Sequence, residues 1–160
     1  MDEEFGRKFI AVAFIVMLII SGVTMYAMMS LLDSMHEDPY DHTYEYELSG
    51  TARGAACEGT GIMEYVPENA NYRLYNFSGS IVSSDGKTDK VDLGALFDKD
   101  GTMVSSLYTF LRNDTVNGEA VTVWHCDHPD ENYTFYVGAY CKVLRMEIVS
   151  DDYELIGMVK

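Results

Sequence analysis

The hydrophobic pattern divides the chain into one long apolar run and a series of alternating stretches. The run, Phe9–Leu32, has 24 residues and no charged side chain. At 1.5 Å per residue a helix of this length spans about 36 Å, more than the roughly 30 Å hydrocarbon core of a bilayer. Arg7 and Lys8 precede the run, so the positive-inside rule predicts a transmembrane helix with a cytoplasmic N-terminus.

This prediction fixes a domain organisation. Residues 1–8 form a cytoplasmic tail, 9–32 a transmembrane helix, 33–42 a polar linker and 43–160 an extracytoplasmic β-rich domain. The expected localisation is the cell membrane, with a single uncleaved pass. The run is much longer than the 7–15 apolar residues typical of a cleaved signal peptide.

Alternation begins at residue 43 and continues to the end of the chain. Tyr44, Tyr46 and Leu48 share one face of a predicted strand, while the glutamates between them share the other. The glycine-rich stretch Gly50–Gly61 suggests a bulged or bent strand. Asp85-Gly86 predicts a hairpin turn, because this dipeptide supplies the positive φ of a tight loop.

One helical pattern interrupts the strands. Met103, Val104, Leu107 and Leu111 recur at helical spacing, which predicts a short helix over Met103–Arg112. The predicted fold class is α+β and mostly β. It consists of the N-terminal transmembrane helix followed by a curled antiparallel sheet of about eight strands, covered by this short helix.

The last third resembles a known family in its strand rhythm. VTVWHC, YTFYV, KVLRMEIV and YELIGMV, within about residues 120–159, are similar to the consecutive hairpins of lipoprotein-carrier (LolA-like) half-barrels. The resemblance covers about 45 residues and includes no specific motif. It implies a curled sheet whose apolar groove holds an acyl chain under a helical lid.

The excess of acidic residues excludes some classes of binding partner. The formal net charge is −15, and residues 33–160 carry 9 Lys and Arg against 23 Asp and Glu. Nucleic acid and anionic lipid surfaces require positive patches, so neither is an expected partner. Three Asn-x-Ser/Thr sequons, at Asn76, Asn113 and Asn132, are candidate glycosylation sites on an exported surface.

The three cysteines predict one disulfide in an oxidising exterior. A hairpin turning near Asp130 would place Cys126 and Cys141 far apart along the ladder. Cys57 should therefore bridge Cys126 or, as the alternative, Cys141. The remaining cysteine would be free or would link two chains as a homodimer.

Candidate chemistry is sparse. His125 and His128 are candidate metal ligands, but alternation points them to opposite faces of a strand, and zinc sites need about four convergent ligands. No Gly-x-Ser-x-Gly motif occurs. We expect no metal, no cofactor and no enzymatic activity.

Two functions fit this sequence. The first is a non-enzymatic binding or interaction domain of the cell envelope, with an unknown protein or an apolar ligand as partner. The alternative is a pilin-like or envelope-assembly structural subunit. The first should keep a cavity lined by Tyr44, Tyr46, Trp124, Leu144 and Met146, whereas the second should have a filled core.

Overall fold

The computed structural model describes residues 16–17, 19–31, 40, 42–66 and 72–160. The chain forms two compact units, Met1–Asp38 and Pro39–Lys160. The described residues of the first unit are helical and exposed. The second unit contains every strand among the described residues.

The predicted membrane span needs correction. Among the described residues, no helix has both the length and the apolar character that crossing a membrane requires. The transmembrane helix and the single-pass cell-membrane localisation were therefore wrong, whereas the membrane as a partner stays a prediction. Residues 1–15, 18, 32–39 and 41, which include the predicted tail and most of the linker, lie outside the described residues.

The second unit is built from antiparallel strands, as predicted. The described residues form nine strands rather than about eight, and most of them alternate buried and exposed side chains. A 3-10 turn, Ala139–Cys141, precedes the eighth strand. The strands are β1 Tyr44–Ala52, β2 Ala55–Val66, β3 Tyr72–Ser83, β4 Thr88–Asp98, β5 Thr109–Val116, β6 Glu119–Asp127, β7 Glu131–Val137, β8 Val143–Ser150 and β9 Tyr153–Val159.

The strands form one sheet in the order β4-β3-β2-β1-β9-β8-β7-β6-β5. The first and last strands pair in the middle, with Leu48 opposite Gly157. Every other neighbouring pair is joined directly in the chain. The connection from β4 to β5 is different, because it links the two edges of the sheet.

Two tight turns explain the glycine-rich stretch and the β5–β6 hairpin. Arg53 and Gly54 have φ of 51° and 80°, and Asn117 and Gly118 have φ of 52° and 87°. Positive φ at both positions is the geometry of a two-residue hairpin loop. Gly50–Gly61 is therefore a hairpin between β1 and β2, not a single bent strand. The predicted turn at Asp85-Gly86 is confirmed, with Gly86 at φ 84°.

The sheet is curled, and its inner face is packed. Inward side chains from strands on both halves of the sheet belong to one buried cluster. These side chains are almost fully shielded from solvent, although the described residues of the second unit include no second sheet or α-helix to cover them, so the sheet must curl around them. The largest fully buried side chains of this core include Tyr46, Tyr75, Phe77, Phe97, Phe135, Met63 and Met146.

The prediction of a helix over Met103–Arg112 was wrong, because the apolar residues of this segment lie on different surfaces of the protein. Met103 is buried and bridges Phe97 of β4. Residues 105–107 form a turn, and β5 starts at Thr109. Leu107 and Leu111 remain exposed. Residues 99–108, which we call the crossover, thus cover the inner face with an irregular segment that is not helical.

Candidate functional site

A cleft opens where the crossover passes over the inner face of the β5–β6 hairpin. It encloses about 510 Å³. We call it the Trp124 cleft. Its lining residues are Gly101, Thr102, Met103, Asn113, Asp114, Ala120, Val121, Thr122, Trp124, Val137 and Gly138. Volumes of about 300–1,000 Å³ are typical of small-molecule sites.

Trp124 is held in a fixed position within this cleft. Its indole Nε1 donates a hydrogen bond to Thr122 Oγ1 at 2.9 Å. Phe110 of β5 packs edge-on against the indole, with ring centroids 5.4 Å apart. The indole N–H is therefore already satisfied, and the ring, which is 9% exposed, presents only its uncovered edge to the cleft as an apolar surface.

The structure brings few of the predicted groove residues to an open surface. Tyr46 and Met146 are fully buried, and Tyr44 is half-buried against the same core. Leu144 belongs to a separate cluster with Val123, because the register of the β7–β8 pair shifts beyond Tyr136. Of the five residues, Trp124 alone lines the cleft.

Tyr46 shows how the interior is filled. Its hydroxyl donates a hydrogen bond to the Val143 carbonyl oxygen at 2.6 Å, and its ring meets Phe77 edge-on at 5.6 Å. Burial raises the pKa of Tyr46, with Tyr44 and Tyr75 adding to the effect. These contacts fill the part of the inner face where the sequence predicted a groove.

A cluster of polar side chains lies at the β6–β7 and β8–β9 turns, at the end of β7 away from the Trp124 cleft. The Glu131 carboxylate accepts hydrogen bonds from the hydroxyls of Tyr133 and Tyr153. Burial and this carboxylate both raise the pKa of each tyrosine. A polar cleft of about 450 Å³ adjoins Glu131, and Asp130, Asp151 and Asp152 line it. Sequence reasoning missed this cluster.

His125 and His128 do not converge. Nδ1 of His125 lies 3.0 Å from Thr134 Oγ1, and Nε2 lies 3.0 Å from Asp127 Oδ1. His128 follows the end of β6 and is exposed. The described residues contain no group of three or more histidine, cysteine and acidic side chains arranged to hold a metal ion.

The three cysteines are free thiols, so neither predicted disulfide is formed. Cys57 on β2 and Cys126 on β6 are separated by β1, β9, β8 and β7.

Cys141 lies at the opposite end of the strands from Cys57. Burial and the nearby Cys141 both raise the pKa of Tyr44. Tyr44 pairs with Met63, which lies six residues along β2 from Cys57. That offset corresponds to about 20 Å. Burial raises the pKa of the Cys141 thiol to about 12, which makes it a poor nucleophile at neutral pH.

The three sequon asparagines share one property. Asn76, Asn113 and Asn132 are all exposed residues within strands. Their glycosylation stays a prediction.

No family model matches the chain, and no curated protein matches it. Similarity to solved structures is weak. MucB aligns at TM-score 0.36 and 11% identity over 80% of this chain and 55% of its own. PNGF-II aligns at 0.33 and 8%, over 74% of this chain and 27% of its own. A DUF1329 family protein from Desulfovibrio piger aligns at 0.25 and 6%, over 78% and 85%.

These neighbours concern the fold alone. The chain spans about half the length of MucB.

Proposed function

We propose that this chain is a non-enzymatic binding domain and that the Trp124 cleft is its ligand site. The observation that carries the proposal is the cleft itself, an opening beside Trp124 and Met103 on an inner face that is otherwise packed. Concave, mostly apolar pockets with a few polar groups are the usual form of a small-molecule site. Asn113 and Thr122 supply such polar groups.

The charge of the domain restricts the ligand. The protein carries a formal charge of −15. An anionic ligand would meet repulsion on approach. The proposed ligand is therefore a neutral or cationic apolar molecule, with a part that stacks against the indole of Trp124.

The test uses the intrinsic fluorescence of Trp124, which is the only tryptophan in the sequence. The full chain is titrated with the neutral apolar dye N-phenylnaphthylamine. Saturable energy transfer from Trp124 to the dye is the expected result. Dye bound to another part of the chain would not show the mutational response described next.

A matched pair of variants locates the binding. Ala120→Leu fills the Trp124 cleft, and we expect it to weaken dye binding about tenfold, the equivalent of about 1.4 kcal/mol. Ala56→Leu makes the same change in a different cleft and should leave the affinity unchanged. Equal affinities of both variants would reject the Trp124 cleft as the site.

The filled interior favours a second candidate, the structural subunit. Fully buried side chains such as Tyr46, Phe77 and Phe135 leave the centre of the curled sheet closed. A wild-type protein that shows no saturable energy transfer would shift the assignment to this role.

A further inference from the structure

The two edges of the sheet differ in how they are covered. The crossover occupies part of the β4 edge: Val104 N donates to the Leu96 carbonyl at 3.2 Å, and the Tyr108 hydroxyl lies 3.2 Å from Leu96 N and 3.3 Å from the Gly94 carbonyl. The apolar side chains of β4, including Val91, Leu93 and Phe97, are buried.

The β5 edge is open. Within the described part of the chain, β5 pairs with β6 alone. Two large apolar side chains of β5, Phe110 and Leu111, are 48% and 47% exposed. Exposed apolar side chains on an unpaired edge strand are a template for pairing with another chain.

Hairpin geometry identifies the backbone groups at this edge. The two-residue turn makes Val116 and Glu119 the first hydrogen-bonded pair of the β5–β6 ladder. Hydrogen-bonded and non-hydrogen-bonded pairs alternate along an antiparallel ladder. Asn113 therefore directs its N–H and C=O groups outward, as does Thr115, whose N–H already donates a hydrogen bond to Asp114 Oδ1 at 2.8 Å.

The charges around Asn113 are self-complementary. Arg112 and Asp114 flank it on one face of β5, and their side chains are 53% and 40% exposed. If a second β5 lies antiparallel about a two-fold axis at Asn113, Arg112 of each copy faces Asp114 of the other. These residues form non-hydrogen-bonded pairs, in which side chains approach most closely.

We propose that two copies of this chain dimerise by antiparallel pairing of their β5 edges, with the two-fold axis at Asn113. The Asn113 backbone groups of the two copies exchange hydrogen bonds on the axis, and two Arg112–Asp114 pairs flank them. The register shift between Phe110 and Arg112 interrupts β5, so the paired segment is short and the dimer dissociates on dilution.

The test separates an interchain pair from the intrachain contact, in which Arg112 Nη2 lies 3.2 Å from Asp114 Oδ2. Arg112→Asp makes both flanking positions acidic, and Asp114→Arg makes both basic. Sedimentation equilibrium of the full chain should show that each variant alone dimerises about tenfold more weakly than the wild type. An equimolar mixture should regain the wild-type dimer affinity, because each acidic edge faces a basic edge. An intrachain contact cannot produce this rescue by mixing.

A matched control exists on the other edge strand. Lys90 and Asp92 flank Val91 on β4 and are exposed in the same way. Lys90→Asp and Asp92→Lys, alone or mixed, should leave the dimer affinity unchanged. A monomeric wild type, or a dimer that the β5 substitutions do not weaken, would overturn the proposal. The dye titration has a separate readout, so failure of either proposal leaves the other standing.

Discussion

At the residue scale, the interior depends on tyrosines whose hydroxyls are satisfied by the backbone. Tyr46 is fully buried and bonds the Val143 carbonyl across two strand positions. Tyr75 likewise donates to the Tyr40 carbonyl at 2.6 Å. Each hydroxyl thus lets a large ring enter the core without leaving a polar atom unpaired.

Removing the Tyr46 hydroxyl tests this arrangement. We expect Tyr46→Phe to lower the free energy of unfolding by about 1–2 kcal/mol, because a buried hydrogen bond is lost while the ring packing stays. The measurement is urea denaturation followed by circular dichroism. Tyr72→Phe removes a hydroxyl from an exposed tyrosine, and its stability should match the wild type. Equal effects of both variants would contradict a structural role for the Tyr46 hydroxyl.

At the element scale, two strand glycines differ in what surrounds them. A Cβ at Gly59 on β2 would overlap the backbone carbonyl oxygen of Ser80 on β3. A Cβ at Gly94 on β4 would meet the Leu74 side chain at 3.6 Å, an ordinary contact. The close approach of β2 and β3 therefore requires glycine at 59 and not at 94.

This difference predicts contrasting alanine variants. Gly59→Ala should destabilise the protein by about 3 kcal/mol or more, because backbone atoms cannot move aside without breaking the β2–β3 ladder. Gly94→Ala should change the unfolding free energy by less than about 1 kcal/mol, since it adds a methyl group to a site with room. Thermal unfolding of both variants is the measurement. Similar midpoints for the two would show that β2 and β3 are less tightly apposed than described.

At the scale of the whole molecule, the buried tyrosines make stability sensitive to alkali. Burial raises the folded-state pKa of Tyr46, Tyr75, Tyr108, Tyr133 and Tyr153. A group whose pKa is raised by folding contributes its full stability below its unfolded pKa, which is about 10 for tyrosine. That contribution is lost as the pH rises above this value.

We therefore expect the free energy of unfolding to be insensitive to these tyrosines up to about pH 9 and to fall above about pH 10. Tyrosinate absorbance in the near ultraviolet should rise together with the loss of β-sheet circular dichroism. Tyr46→Phe removes one of these ionisable groups. The free energy of unfolding of this variant should therefore fall less steeply with pH above about pH 10, by the slope that one proton contributes. Ionisation of the buried tyrosines in a sheet that remains intact would contradict this prediction.

Much of the sheet follows from local sequence. The alternation Tyr44-Glu45-Tyr46-Glu47-Leu48 predicts a strand with one buried face, because successive side chains point to opposite sides. Asp85-Gly86 places a hairpin turn, because glycine readily adopts positive φ. Asn117-Gly118 carries the same signal and would have identified the β5–β6 hairpin. The apolar spacing of Met103, Leu107 and Leu111 favoured a helix where β5 begins.

The remaining features depend on contacts between residues distant in sequence. The crossover is not helical because Met103 and Tyr108 gain burial against β4 and β7, a gain that outweighs local helix propensity. Leu144 changes face because of a register shift, and a one-residue slip moves side chains to the opposite face. The sequence by itself determined a sheet with one apolar face. Strand order decided its curl, its filled interior, the separation of Cys57 from Cys126 and the open β5 edge. Strand order depends on long-range pairing, which no local pattern encodes.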